Sequence, residues 1–291
     1  MFLGTLKVYY RLTKPGIIRG NALAAAAGFF LATPGRSFSV GLFAFMLMGL
    51  SLVIASACVF NNVLDRGIDA QMARTKKRAL VTGHVTISVA LVYATIIGAA
   101  GFTVLALGTN LLATLLAATG FIFYVAIYGL AKRRTPWGTE VGSISGAIPP
   151  VVGYCAVSGQ FDTGAMLLFL VLVFWQMPHF YAIAIYRLSD YQSAKIPVLP
   201  AVKGAQVTVR RMTAYASAFV AAIIALAVFG PATWLFGLAC GLMGILWLRK
   251  ILAGRHVTDH EVWAKSVFRF SLLVMLTVCV MSGADLIVRS L

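Results

Sequence analysis

Hydrophobic positions in this 291-residue chain gather into long runs separated by short polar segments. A helix needs roughly 18–20 apolar residues to cross a hydrocarbon layer. Nine runs reach or approach that length: about Gly16–Thr33, Val40–Phe60, Val85–Leu107, Leu111–Leu130, Thr139–Val157, Gly164–Tyr186, Met212–Phe229, Ala232–Leu252 and Val267–Val288. The first is the least regular, with Arg19 and Asn21 near its start. The pattern predicts an all-α polytopic membrane protein, a single domain over residues 1–291 with nine transmembrane helices.

Composition agrees: 60% of residues are hydrophobic, 11% are charged, and the mean hydropathy is +0.92. These values lie outside the range of an ordinary soluble domain. The distribution of charge then orients the chain. With the amino terminus in the cytoplasm, 22 of the 24 Lys and Arg residues fall on the cytoplasmic side, leaving Arg36 and Arg289 outside. Such a bias predicts an N-in, C-out topology. The formal charge of +16 is therefore mostly a topology signal, with some attraction to anionic lipid. Because the charges are dispersed between runs, nucleic-acid binding is excluded as a reading. Cys58, Cys155, Cys240 and Cys279 lie in or beside apolar runs without CxxC spacing, as buried small hydrophobes would. No cleavable signal or transit peptide is read at the amino terminus. The expected location is a bacterial cytoplasmic membrane.

The connections are unequal. Gly108–Asn110 and Gly230–Pro231 are bare turns, whereas runs two and six feed long polar segments, about 61–84 and 187–211. Four runs separate those two, so they are parallel and both segments lie on one side. Each pairs carboxylates with cations: Asp65, Asp69 and Arg74–Arg78 in one, Asp190, Lys195 and Lys203 in the other. This resembles a weak internal repeat and predicts a central cavity that opens to the cytoplasm, capped by two polar loops.

If the second run continues as a helix, Asn61, Asp65 and Asp69 share one face. Carboxylates at a helix C-terminus meet the negative end of the macrodipole, so something positive must compensate. Two aspartates one turn apart suit Mg²⁺, which takes hard oxygen ligands and shares them with phosphate groups. Arg74, Lys76, Lys77 and Arg78 would serve the remaining phosphate oxygens. An Asp-rich segment beside a basic cluster, at the mouth of an apolar bundle, suits a lipid diphosphate. Surface salt bridges at a membrane interface are the plainer reading, which the second acidic loop on the same side weakens.

Asn61-Asn62-x-x-Asp65-x-x-x-Asp69 resembles the first Asp-rich motif of the intramembrane prenyltransferase superfamily, which includes the para-hydroxybenzoate polyprenyltransferases. Within it, several stretches are similar to the branch of the protoheme IX farnesyltransferases (heme O synthases). They are Leu12–Gly16, Cys58–Asn62, Arg74–Arg78, Gly146–Pro150, Trp175–His179 and Asp190–Pro200, in order along most of the chain. There are two departures: Asn62 stands where the superfamily commonly has Asp, and the second motif, Tyr186–Asp190, is one carboxylate short. Both leave a second metal ion less firmly ligated.

The resemblance implies Mg²⁺ dependence, with farnesyl diphosphate and heme B as substrates. It implies Asp65, Asp69, Asn61 and Asp190 around metal, and Arg74, Lys76, Lys77, Arg78 and Lys195 on diphosphate. It also makes His179, inside an apolar run, an axial heme ligand or a group orienting the attacking water. The neighbouring Pro178 is expected to open the helix locally. Trp175, Tyr124, Tyr128, Tyr154 and Tyr186 are aromatic candidates for the prenyl and heme region; lipid-facing or core packing is their plainer reading. Heme A synthase or terminal-oxidase assembly proteins are the protein partners it suggests. Two other classes stay open: a prenyltransferase acting on a quinone or chlorin precursor, and a heme or lipid transporter. The Trp175–His179 and Ala194–Pro200 patterns speak against the first, and two acidic–basic loops on one side against the second. Glu140 reads as a helix N-terminal cap, and the glycines and prolines of the fifth run as close packing with a bend.

Overall fold

The structure, a computed structural model, describes residues 2–33 and 37–291. Arg36, expected on the outer side, lies outside the described residues. Among those residues the regular elements are helices: α1 (Phe2–Leu12), α2 (Pro15–Ala32), α3 (Val40–Asp69), α4 (Ile87–Gly108), α5 (Leu111–Ile122), α6 (Tyr128–Arg134), α7 (Gly138–Ser158), α8 (Thr163–Tyr186), α9 (Leu188–Ser193), α10 (Leu199–Phe229), α11 (Trp234–Leu252) and α12 (His260–Ser290). A π-helical turn, Phe123–Ile127, joins α5 to α6. Nine helical segments are long and apolar enough to cross a membrane, among the described residues, matching the nine runs.

The helices outrun the apolar runs at their polar ends. The second run extends through the aspartates to Asp69, and the ninth begins at His260, ahead of Lys265 and Arg269. The segment 187–211, expected as a loop, is mostly helical: α9 lies within it, and α10 starts at Leu199 and kinks at Gly204 (φ 79°). Hydropathy registers only the part of a helix that lies in hydrocarbon, so charged turns at the rim are read as loops. The N-terminal tail is likewise the helix α1, too short and too mixed to count as a span. Pro178 does not open α8, which is continuous through it.

Small residues let the central helices meet backbone to backbone. A Cβ on Gly28 of α2 would collide with the Pro150 carbonyl of α7, and one on Gly153 would collide with the Ala25 carbonyl. The two contacts are reciprocal, and they bring α2 and α7 closer than side chains would allow. Helix α8 packs against α7, α10 and α12, and its buried Leu168, Val171, Met177 and Tyr181 join the largest apolar cluster. At the end remote from the aspartates, Asp285 is buried against Arg289 (3.3 Å) and the Thr233 amide (3.1 Å). Arg289 also donates to the carbonyls of Phe30 (2.9 Å) and Leu31 (3.1 Å), so one ionic knot ties together the ends of α2, α11 and α12.

Candidate functional site

Asn61, Asp65 and Asp69 lie on one face of α3 and are buried, as the four-residue spacing requires. Each carboxylate is answered by cations from elsewhere in the chain. Lys132 and Arg133, in the last turn of α6, both contact Asp65, Arg133 at 3.2 Å. Arg78 Nη1 binds Asp69 Oδ2 at 2.6 Å, and Lys14 Nζ donates to Asn61 Oδ1 at 2.9 Å. The unfavourable macrodipole end is thus compensated by four cations from three segments. Beyond α3 the chain turns back on itself: Thr75 Oγ1 donates to the Asp69 carbonyl (2.8 Å) and Arg66 Nε to that of Leu80 (2.9 Å). This return is what places Arg78 over the helix that precedes it.

A cavity of about 440 Å³ opens here, lined by Arg11, Lys14, Asn62, Asp69, Arg74 and Lys77 among others. The second polar segment reaches the first. Asp190 lies 3.9 Å from Arg74, whose guanidinium sits 5.7 Å from the Tyr191 ring centre, and Ser193 Oγ donates to the Gln71 carbonyl at 3.3 Å. Asp190 does not join the two α3 carboxylates, and no cluster of three carboxylates, imidazoles or thiols occurs among the described residues. Lys76 and Lys195 are exposed and do not line the cavity.

Lys14 and Lys132 escaped the sequence reading. Lys14 counted as a positive-inside charge within the Leu12–Gly16 stretch and not as a site residue, yet it is partly buried and adopts a left-handed conformation (φ 53°) just before Pro15, the first residue of α2. Burial is the main cause that lowers its pKa to about 8, with Arg78 and Lys132 acting the same way and Cys58 and Asp65 opposing them. The clue was Lys-Pro at a helix start, since proline favours the first helical position and fixes where the preceding side chain emerges.

Lys132 owes its aim to the π turn. In an unbroken α-helix the twelve residues from Gly120 would carry Lys132 about 120° around the axis. One extra residue accommodated in the wide turn removes about 100° of this and returns Lys132 near the face where Gly120 packs on Ile148. The same turn stacks Tyr124 on Tyr128 (centroids 5.8 Å apart, planes at 21°), with the Lys132 ammonium 5.0 Å from the Tyr128 ring centre.

The other aromatic candidates separate into two places. His179, Trp175 and Tyr186 lie along the contact between α8 and α12: Trp175 stacks on His179 (4.7 Å), and both His179 and Tyr186 meet Phe268 (4.9 and 5.6 Å). Ser271 Oγ donates to the Phe268 carbonyl (2.6 Å), so it accepts from His179 Nδ1 (2.7 Å), leaving the lone pair on Nε2. Tyr154 lies towards the opposite end of α7, its hydroxyl donating to Asp162 (3.0 Å), and is not brought to the aspartates.

Residues 21–273 match the UbiA prenyltransferase family. The chain belongs to that family. It is similar to a protoheme IX farnesyltransferase of Citrobacter koseri, 48% identical over 283 residues, covering 97% of this chain and 95% of that protein. One of Yersinia pseudotuberculosis is 47% identical over 286 residues, with 98% and 97% covered. Among solved structures, a UbiA homolog from Aeropyrum pernix K1 shares the fold at a TM-score of 0.72 and 23% identity, covering 95% of this chain and 98% of that one. A UbiA homolog from Archaeoglobus fulgidus bound to GPP and Mg²⁺ does so at 0.65 and 15%, with 95% and 99% covered. A family assignment makes this polytopic α-helical chain a prenyltransferase.

Proposed function

We propose that the chain transfers the farnesyl group of farnesyl diphosphate to a vinyl group of heme B, with addition of water, giving heme O and diphosphate. The observation that carries this reading is the buried Asp65–Asp69 pair ringed by Lys14, Arg78, Lys132 and Arg133, in a chain similar over nearly its full length to protoheme IX farnesyltransferases.

The donor set fits Mg²⁺. Asp65, Asp69 and the Asn61 amide oxygen are hard ligands, and one or two carboxylates with phosphate oxygens and water are its usual complement. Asn61 Nδ2 is buried with no hydrogen-bond partner among the described residues, a donor that a phosphate oxygen or water would satisfy. Asp65, Asp69 and Asn61 would hold the ion, with Asp190 reaching the site through water or Arg74. When bound, Mg²⁺ neutralises charge on the diphosphate leaving group.

The protein's own residues do the rest. Four cations surround the two carboxylates; Lys14 and Arg78 among them line the cavity, where Arg11, Arg74 and Lys77 join them against Asp69 alone, so the pocket holds surplus positive charge for a diphosphate. As substrate arrives, Lys14, Lys132, Arg133 and Arg78 exchange carboxylate or amide oxygens for phosphate oxygens, with Arg74 and Lys77 at the cavity wall. Lys76 and Lys195, exposed and outside the cavity wall, would reach the head group only after local movement. Their combined charge stabilises the leaving group as the allylic C1–O bond breaks. The stacked Tyr124 and Tyr128 present aromatic faces to the allylic cation. The terminal vinyl carbon of heme B forms the new bond to C1, and water captures the resulting cation beside the porphyrin and loses a proton. His179, whose Nε2 carries the lone pair, ligates heme iron or holds that water, with Trp175 and Tyr186 against the ring.

The Asp end is the cytoplasmic end, with N-in and C-out topology, in a bacterial cytoplasmic membrane. Nearly all Lys and Arg residues on that side support this. Residues 1–291 form a single transmembrane domain, and a heme O product suggests heme A synthase or terminal-oxidase assembly proteins as neighbours. Asp65→Asn and Asp69→Asn test the metal role: each should cut turnover by about a hundredfold or more in protein that still inserts. Near-normal turnover would refute it.

A further inference from the structure

We infer that Asn62 is a positioning residue that latches the α1–Lys14 segment over the diphosphate pocket. Asn62 is 3% exposed and makes two hydrogen bonds of opposite sense. Its Nδ2 donates to the Leu12 carbonyl at 2.8 Å, and its Oδ1 accepts from Arg78 Nη1 at 3.3 Å. A carbonyl can only accept and a guanidinium can only donate, so the two neighbours fix the amide's orientation. An aspartate here would keep the Arg78 contact and set one of its oxygens against the Leu12 oxygen. The amide is therefore the group this position requires, which accounts for the departure from the superfamily's aspartate.

What the bond holds is the entry to the site. Leu12 is the last residue of α1, and Lys14, two residues on, makes the left-handed link to α2 and reaches Asn61. Val8, Arg11 and Leu12 form the α1 side of the cavity wall. Among the described side chains of α1, Val8, Tyr9 and Leu12 pack with Val59, Leu80 and Tyr93, Tyr9 meeting Tyr93 edge-on at 5.2 Å, while Leu6 and Tyr10 are 53% and 59% exposed. One face of α1 thus closes the pocket, and the Asn62 bond sits where α1 ends. Through Arg78, which also holds Asp69 at 2.6 Å, the latch is continuous with the carboxylates. Losing it would let Arg11 and Lys14 leave the pocket together.

The latch follows from the geometry, while its effect on farnesyl diphosphate rests on the reading above. The test uses full-length protein in nanodiscs, with a nitroxide on Tyr10→Cys in a Cys279→Ser background, comparing Asn62 with Asn62→Asp, Asn62→Ala and Asn62→Ser. Asn62→Asp and Asn62→Ala should mobilise the label and weaken farnesyl diphosphate binding by roughly tenfold or more, leaving the KM for heme unchanged. Asn62→Ser, which keeps a donor, should fall between and stands in if either of the others fails to insert. A short bis-maleimide bridge between Tyr9→Cys and Tyr93→Cys should restore both label immobility and affinity. An Asn62→Asp protein with an immobile label and undiminished affinity would overturn the latch, as would tight binding by Asn62→Ala. A mobilised label in a protein that never binds farnesyl diphosphate would instead refute the substrate reading and leave the latch standing.

Discussion

Lys132 donates to Asp65 from 67 residues along the chain, and both side chains are nearly buried, 12% and 11% exposed. Removing one partner of such a pair strands the other as an uncompensated charge, typically costing about 3–5 kcal/mol. Arg133 still neutralises Asp65 when Lys132 is lost, whereas Asp65 is the carboxylate bonded to both cations. Asp65→Asn should therefore lower the thermal midpoint more than Lys132→Met does. Paired with Lys132→Met, Asp65→Asn should cost less than the two single losses added. Additive losses would show that the two residues do not share one buried interaction.

Lys14 supplies a pH dependence. Its folded pKa, about 8, lies below the ordinary lysine value of 10.5 because burial disfavours the cation. The unfolded chain then binds more protons between those values, so this residue's destabilising effect is full below about pH 8 and fades as pH rises towards 10.5. Binding runs the other way, since diphosphate needs the protonated amine. Affinity for farnesyl diphosphate should fall as pH is raised above about 8, and Lys14→Arg should flatten the profile. Calorimetric titration at several pH values checks both. An identical slope in Lys14→Arg would remove Lys14 from the head-group site.

Much of this was legible in the chain. Run lengths gave the spans, and the four-residue spacing placed Asn61, Asp65 and Asp69 together because helix periodicity is local. Lys14 and Lys132 were not legible as site residues, since the contacts to Asn61 and Asp65 depend on how α2 and α6 pack against α3. The π turn in α5–α6 has no local signature, yet it sets the direction of Lys132. Asn62 read as a missing carboxylate until the Leu12 carbonyl showed what its amide does. Tyr154 shows the opposite error: its place near the end of the fifth run already set it far from the aspartates, and its aromatic ring alone made it a candidate.

His179 should be seen spectroscopically. With Ser271 fixing Nδ1 as the donor, Nε2 is the available ligand. Heme B added to the protein should give a shifted Soret band that His179→Ala abolishes and Ser271→Ala weakens by roughly tenfold or less in affinity. An unchanged spectrum in His179→Ala would exclude iron ligation there.

The reciprocal glycines predict a packing failure. Gly153→Val would drive a side chain into the Ala25 carbonyl, and Gly28→Val into that of Pro150, at a site where backbone cannot give way. Each should destabilise the bundle by about 1–3 kcal/mol or more. A thermal midpoint unchanged in both, measured in one detergent, would mean that α2 and α7 are not packed this closely.

Mass spectrometry of the reaction itself bears most directly on the whole account. Purified protein is incubated with farnesyl diphosphate and heme B, with Mg²⁺ and with a chelator, and the porphyrin product is weighed. Heme should gain one farnesyl group and one hydroxyl in the presence of Mg²⁺, and stay unmodified with the chelator or with Asp65→Asn. Unmodified heme under all conditions from folded, inserted protein, or a product whose formation ignores the chelator, would contradict it.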